Sequence, residues 1–139
     1  MKEAIIESFL QNFYAYISFE EGQEPNFESF RGLFMDEAVL IEYSDPSKGI
    51  LSVDNIDHHV HEFEKVFHDY PMIKSKGFNE KEISHTISIN GPMAFVESKY
   101  LKKYYNGSDY IETVGTNSIH LIWKENDLKI ASIGWYEEG

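Results

Sequence analysis

An α+β fold, with helices leading and a curved antiparallel sheet following, is predicted by three observations. Apolar residues recur at helical spacing from Glu3 to Phe19 and again after Ser52. Four later segments, from Lys76 onward, are rich in β-branched and aromatic residues. The dipeptides Asn90-Gly91, Asn106-Gly107 and Asn126-Asp127 separate those segments as hairpin turns do. Strands joined by tight turns are antiparallel neighbours, and helices packed on one face of the sheet complete the layout. At 139 residues, the chain is expected to form one domain, residues 1–139, around one core and one pocket.

Each element follows from local pattern. Ile5, Ile6, Phe9, Phe13, Tyr16 and Ile17 share one face of a first helix, which Gly22 and Pro25 terminate. Asn26 is the N-cap of a short second helix over Phe27 to Phe34. Ala38 to Tyr43 reads as a strand, bounded by Ser44-Asp45-Pro46. Ser52 caps a third helix whose stripe is Val53, Ile56, Val60, Phe63 and Phe67, and Tyr70-Pro71 stops it because a residue before proline avoids helical backbone. The segments Lys76 to Ile89, Met93 to Tyr105, Tyr110 to Lys124 and Leu128 to Tyr136 then form a meander of strands.

Composition narrows the function classes. A hydrophobic content of 42%, with 15% aromatic residues, supplies enough apolar surface to offset chain entropy. The net charge of −12, with Arg31 the single arginine, leaves no electropositive track, so neither nucleic acid nor an anionic membrane is expected as a partner. The chain has no cysteine, which removes disulfides and thiolate chemistry and fits a reducing, cytoplasmic setting. Glu3 and Glu7 inside the first apolar pattern mark an amphipathic helix and not a signal peptide. Gly-rich phosphate loops, a Gly-x-Ser-x-Gly elbow and a His-Glu-x-x-His motif are all missing, and no cofactor is expected.

The chemistry must therefore come from His, Tyr and carboxylate side chains. Strict alternation puts His85 on one face with Ile83, Ile87 and Ile89, where an imidazole is a natural general base near neutral pH. The alternative is a core histidine bonded to a tyrosine or a carbonyl. Tyr16, on the inward face of the first helix with Tyr14 at its edge, is either a donor that polarises a carbonyl or an aromatic filler. Glu42 and Tyr43 point to opposite faces, so only one of them faces the pocket. A Glu42 carboxyl there would have a raised pKa suited to proton transfer on carbon. Around Asn117 to Trp123 both strand faces are apolar, which points to a homodimer through the sheet. His58, His59 and His61 resemble a metal cluster, but His58 and His61 fall opposite Val60 and Phe63, where Asp54 and Asp57, four residues earlier, pair with them; no metal is expected. His59 borders the apolar stripe and joins Tyr100, Phe13 and Phe63 among the expected pocket residues.

The runs Phe34-Met35-Asp36-Glu37-Ala38-Val39-Leu40-Ile41-Glu42-Tyr43, Ser84-His85-Thr86-Ile87-Ser88-Ile89-Asn90 and Ile122-Trp123-Lys124-Glu125, together with the helix from Ser52, resemble the nuclear transport factor 2-like superfamily, in particular its SnoaL-like branch. That resemblance implies a cystatin-like cone, a bent sheet wrapping three helices, with a blind apolar pocket and dimerisation across the sheet. Its enzymes include ketosteroid isomerases, polyketide cyclases, scytalone dehydratase-like lyases and epoxide hydrolases, and many members are not catalysts. The isomerase pattern implies a base at Glu42, a tyrosine donor at or beside Tyr16 and an acid donor near His120, where this chain has histidine. The dehydratase pattern implies a catalytic His85, a tyrosine at Tyr43 and polar pocket groups at Ser118 and His120; its second histidine falls near Tyr104. Arg31 is misplaced for the epoxide-hydrolase pattern. The expected function is a lyase (dehydratase) or isomerase acting by general acid/base proton transfer on a small hydrophobic, carbonyl-bearing molecule. The alternative is a non-catalytic ligand-binding or dimeric interaction module.

Overall fold

The computed structural model describes residues 2–69 and 76–138. Helix α1 (Lys2–Ile17) buries Ile6, Phe9, Leu10, Phe13, Tyr14 and Ile17, a three-and-four spacing that places all six on one face. This face is rotated from the expected one. Leu10 and Tyr14 enter it, while Ile5 is 50% exposed and Tyr16 is only half-buried. The cause is tertiary: α1 packs against both the sheet, at β3, and α2, so its buried arc is wider than a single stripe. Phe19 lies past the helix end and pairs with Phe78 through two backbone hydrogen bonds of 2.8 and 2.9 Å.

Asn26 caps α2 (Phe27–Arg31), its side chain accepting the Ser29 backbone N–H at 3.1 Å. The helix stops at Arg31 and not at Phe34, because Phe34 opens β1 (Phe34–Asp45). A 3-10 turn, Pro46–Lys48, leads to β2 (Ile50–Asn55), a strand the sequence pattern conceals. Val53 stands three residues before Ile56 and so mimics helical spacing, yet it pairs with Ile41 across the hairpin and is 63% exposed. The cap of α3 (Ile56–Asp69) is therefore Asn55 and not Ser52; its Oδ1 accepts the His58 backbone N–H at 2.8 Å. The expected stop at Tyr70-Pro71 lies outside the described residues. Arg31 holds the helical layer to β1, donating to Asp57 on α3 (2.6 Å) and to Asp36 (2.8 Å). Asp57 is thus committed to Arg31 and not to His61.

Strands β3 (Phe78–Asn90), β4 (Met93–Tyr105), β5 (Tyr110–Lys124) and β6 (Asp127–Glu138) form the expected antiparallel meander. The sheet order is β2-β1-β6-β5-β4-β3, and β1 runs parallel to β6, so the sheet is mixed. Gly91 (φ 57°) and Gly107 (φ 106°) take the left-handed backbone that made Asn-Gly a turn signal. The last turn sits one residue earlier than its dipeptide: Lys124 pairs with Asp127, and Glu125 takes the positive φ of 61°.

Register shifts at Phe34/Val39, Tyr43/Asp45, Glu82/Ser84 and His120/Leu121 mark bulges that bend the strands. The bent sheet wraps the three helices on its concave face. There Leu40, Val96, Tyr100, Ile119, Leu121 and Ile130 are nearly inaccessible and meet the buried face of α1. Each large apolar side chain so buried contributes roughly 1.5–3 kcal/mol. No helix among the described residues is long and apolar enough to cross a membrane.

Candidate functional site

The concave face is only partly filled. A cavity of about 520 Å³ remains between the C-terminal half of α1, the helices α2 and α3, and the ends of β1, β4, β5 and β6. Its apolar wall is Phe13 and Ile17 from α1, Phe30 from α2, Phe34 and Leu40 from β1, Phe63 from α3, and Ile133 and Trp135 from β6. Alternation explains the sheet's share: Leu40, Ile133, Trp135 and Glu137 fall on the concave side. Exposed Glu42, Ser52, Glu62 and Val66 form the mouth.

The polar wall is strongly acidic. Glu42, Asp54, Glu62, Glu80 and Glu137 line the cavity, against Lys102 and His59 as the basic groups. Lys102 is neutralised on the spot, its Nζ donating to Glu137 at 2.7 Å, and the Tyr100 hydroxyl donates to the same carboxylate at 2.8 Å. Gly115 makes this arrangement possible: a Cβ there would lie 2.5 Å from Tyr100 Cζ. Trp135 Nε1 donates to Glu42 at 3.3 Å, and the His59 ring meets the Trp135 ring edge-on at 5.5 Å. Burial lowers the His59 pKa below its ordinary value, which favours neutral imidazole. Asp54 accepts from His58 Nδ1 at 2.7 Å, the expected helix-spaced pair.

Glu80 stands apart from the other acids. Among the described residues nothing donates a hydrogen bond to its carboxyl; only its backbone is engaged, by the Ser18 hydroxyl. The residue touches the cavity, yet its carboxyl is set far enough inside for burial to push its pKa up to about 7, with Lys102 opposing and Glu137 reinforcing the shift. Such a group is half protonated near neutrality and can accept or give a proton.

Of the residues the sequence pattern singles out, Phe13, Phe63, His59, Tyr100 and Glu42 line this cavity, and His85, Tyr16, Tyr43, Ser118 and His120 do not. His85 is displaced by the bulge at Ile83, which breaks the strict alternation. Ile83 is 53% exposed, and Glu82 and His85 come to the concave side together. There the His85 Nδ1 pairs with Glu82 (2.7 Å) and its Nε2 approaches Glu7 (3.4 Å), away from the cavity; the Glu82 hydrogen bond raises the imidazole pKa. Glu82 also accepts from Ser98 Oγ, which meets the Tyr14 hydroxyl at 2.6 Å, and Tyr14 accepts from Asn117 Nδ2 at 3.1 Å. Tyr14, not Tyr16, is thus the tyrosine with a buried, bonded hydroxyl, and burial raises its pKa so that it stays protonated. Tyr43, 42% exposed, faces away from Glu42 on the convex side. Ser118 and His120 alternate with the buried Asn117, Ile119 and Leu121, so they too lie on the convex face, where His120 stacks on Phe95 at 5.8 Å. Glu80, Lys102, Asn117, Trp135 and Glu137 escape the sequence reading. The one available signal was their register: Phe78-Glu80, Tyr100-Lys102 and Ile133-Trp135-Glu137 each continue an inward alternation with a polar residue.

No family model matches the chain, and no curated protein sequence matches it. Solved structures do. A protein from Novosphingobium aromaticivorans proposed to be a scytalone dehydratase superposes with a TM-score of 0.75 at 11% identity, over 99% of this chain and 85% of its own. A protein of unknown function with a cystatin-like fold from Nostoc punctiforme gives 0.70 at 9% identity, over 98% and 90%. A nuclear transport factor 2-like protein of unknown function from Shewanella baltica gives 0.65 at 15% identity, over 99% and 94%. The chain has the nuclear transport factor 2-like fold. At these identities the likeness extends to the architecture alone, because one fold hosts many functions. Residue roles in this nuclear transport factor 2-like cone have to come from its own cavity.

Proposed function

We propose that the chain binds a hydrophobic small molecule in the concave cavity and that Glu80 exchanges a proton with it. The observation that carries this reading is a carboxyl that, among the described residues, receives no hydrogen bond, set in a cavity whose wall joins aromatic and aliphatic side chains to an acidic polar side. A structural carboxylate in such a place is normally matched by donors, as Glu82 and Glu137 are here. An acid left open toward a cavity is available to a ligand, and near neutral pH it serves as general base or general acid. Isomerisation or elimination next to an activating group would use it in that way. His85 is better read as a structural group, because both its nitrogens face carboxylates outside the cavity.

Ligand binding without turnover is the second reading, and one observation favours it. Tyr100 and Lys102 both donate to Glu137, and Trp135 Nε1 to Glu42, so these donors are already directed at internal acceptors and not at an incoming carbonyl. Two measurements separate the possibilities. Cavity resonances should move on titration with a neutral naphthalene-sized molecule, and an Ile133→Trp variant, which fills the space, should abolish the response; shifts confined to other surfaces would refute the pocket. For a binder that carries an acidic C–H, wash-in of deuterium from solvent, lost in Glu80→Gln, would establish catalysis, and binding without exchange would leave a binding protein.

The convex face suits a second copy of the chain. Phe95 is 50% exposed and Met93 39%, and their register partners His120 and Ile122 share that side, as do Val39, Val53, Tyr43 and Tyr136. An apolar sheet face of this kind, with all three helices on the other side, is what a homodimer through the sheet would cover.

A further inference from the structure

We infer that the ligand of the cavity is an amphipathic cation, an amine carried on an apolar or aromatic body; this rests on the pocket reading above. Among the described residues five carboxylates line the space, and the one lysine beside them is already bound to Glu137. An anion would meet an excess of carboxylates over cationic side chains. A neutral apolar molecule would leave the Glu80 carboxyl without a partner, and a neutral donor would satisfy it while leaving the charge of the mouth unbalanced. An ammonium group removes both difficulties, because it supplies the donors that Glu80 lacks and offsets the charge of the mouth.

The rest of the wall fits the same chemistry. Trp135, Phe63, Phe30 and Phe13 present aromatic rings to the space, and such rings attract cations when water is excluded. Ile17, Leu40 and Ile133 supply the surface for an apolar body. The chain as a whole carries a net charge of −12, which raises the local concentration of cations and speeds their approach.

The groups that set the charge of Glu80 are identifiable on every neighbouring element. Lys102 and Tyr100 face it from β4, Glu137 from β6 and Tyr14 from α1, and Glu82, two residues along its own strand, acts with it on Tyr14. Across the cavity stand Glu42 on β1, Asp54 on β2, and His59 and Glu62 on α3. Among the described residues Lys102 is the one permanent cation in this set and is paired, so an incoming ammonium favours ionised Glu80, and binding releases a proton when the pH is near or below neutrality.

The test uses three probes of one shape: naphthylmethylamine, naphthylmethanol and naphthoic acid, titrated into the full chain by calorimetry and by amide NMR shifts. The amine should bind at least about tenfold more tightly than the alcohol, the acid should be weakest, and the amine's affinity should fall by up to about tenfold per pH unit below neutrality as Glu80 takes up its proton. Glu80→Gln should abolish that pH dependence and most of the amine's advantage. Should that variant not fold, the wild-type pH profile and Glu62→Gln at the exposed mouth, expected to weaken amine binding alone, carry the same test. Equal or tighter binding of the alcohol or the acid at the cavity resonances would overturn the cation inference and leave the pocket reading intact. Failure of all three probes to move those resonances would overturn both.

Discussion

Tyr14→Phe removes one oxygen from a buried chain of polar side chains, and its cost can be worked out. The hydroxyl lies between Ser98 (2.6 Å) and the Asn117 Nδ2 (3.1 Å), and those two residues are 0% and 4% exposed. Ser98 keeps its acceptor in Glu82, so the main casualty is the Asn117 N–H, which loses its partner where water has little access. An unsatisfied buried donor costs about 1–3 kcal/mol, and the cavity left by a hydroxyl adds little. With a urea m-value of roughly 2 kcal/mol/M for a small domain, the unfolding midpoint should fall by about 1 M at unchanged m. Trp123 and Trp135 are natural fluorescence reporters. Tyr16→Phe is the control: Tyr16 is half-buried and its hydroxyl makes no hydrogen bond among the described residues, so its midpoint should move by less than about 0.3 M. An unchanged midpoint for Tyr14→Phe, or an equal loss for Tyr16→Phe, would refute the assignment of the buried network.

Three further outcomes are expected. Stability should decline as the pH rises from about 4.5 through about 7, since the Glu80 carboxyl, ordinarily near 4.5, is held to about 7 in the folded chain, which therefore binds more protons across that window. The penalty above neutrality is at most roughly 3 kcal/mol, and Glu80→Gln should remove most of the slope in urea midpoints measured against pH. The raised His85 pKa acts with the same sign, its contribution being present below its ordinary value near 6.5 and lost as the pH passes its folded value, so a residual slope should survive in Glu80→Gln and shrink on adding Glu82→Gln, which removes the largest cause of the rise. Gly115→Ala should destabilise by about 1–3 kcal/mol in chemical denaturation, because its Cβ overlaps the Tyr100 ring, whereas Gly134→Ala, with nothing nearer than 3.7 Å, should cost less than about 1 kcal/mol. Phe95→Glu should convert a dimer to a monomer in light scattering with an unchanged circular dichroism spectrum; a wild type that is monomeric at high concentration would remove the sheet-face dimer.

The fold was largely legible in the sequence because its strongest signals are local. Asn90-Gly91 and Asn106-Gly107 predict turns through the positive φ that glycine accepts, and Asn26 predicts a cap through its side-chain oxygen. The misreadings share one cause, which is tertiary pairing overriding a local period. Val53 fits a helical stripe until β1 pairs with it, and His85 fits an apolar face until an extra residue at Ile83 resets the alternation. The site was less legible for a related reason. Glu80, Lys102 and Glu137 look like ordinary surface charges in isolation, and only the bent sheet brings them to one wall. Tyr14 was passed over in favour of Tyr16 because the helix buries two flanks and not one.

Strand β3 itself separates structure from function. It turns two carboxylates toward the concave side, Glu80 and Glu82, one alternation apart. Glu82 has a donor on each oxygen, from His85 and Ser98, and through Ser98 it anchors a chain of donors that runs by Tyr14 to Asn117. Every donor in that chain points toward one anion, which fixes the orientation of each member and leaves Glu82 nothing to offer a ligand. Among the described residues Glu80 receives no donor, and it opens on a cavity whose wall carries aromatic rings. A fold that had only to be stable would gain by pairing Glu80 or replacing it with an apolar residue, because a lone buried carboxyl destabilises the folded state. The proposed cationic ligand would offset that cost, supplying Glu80 with the donor that its twin Glu82 finds inside the protein.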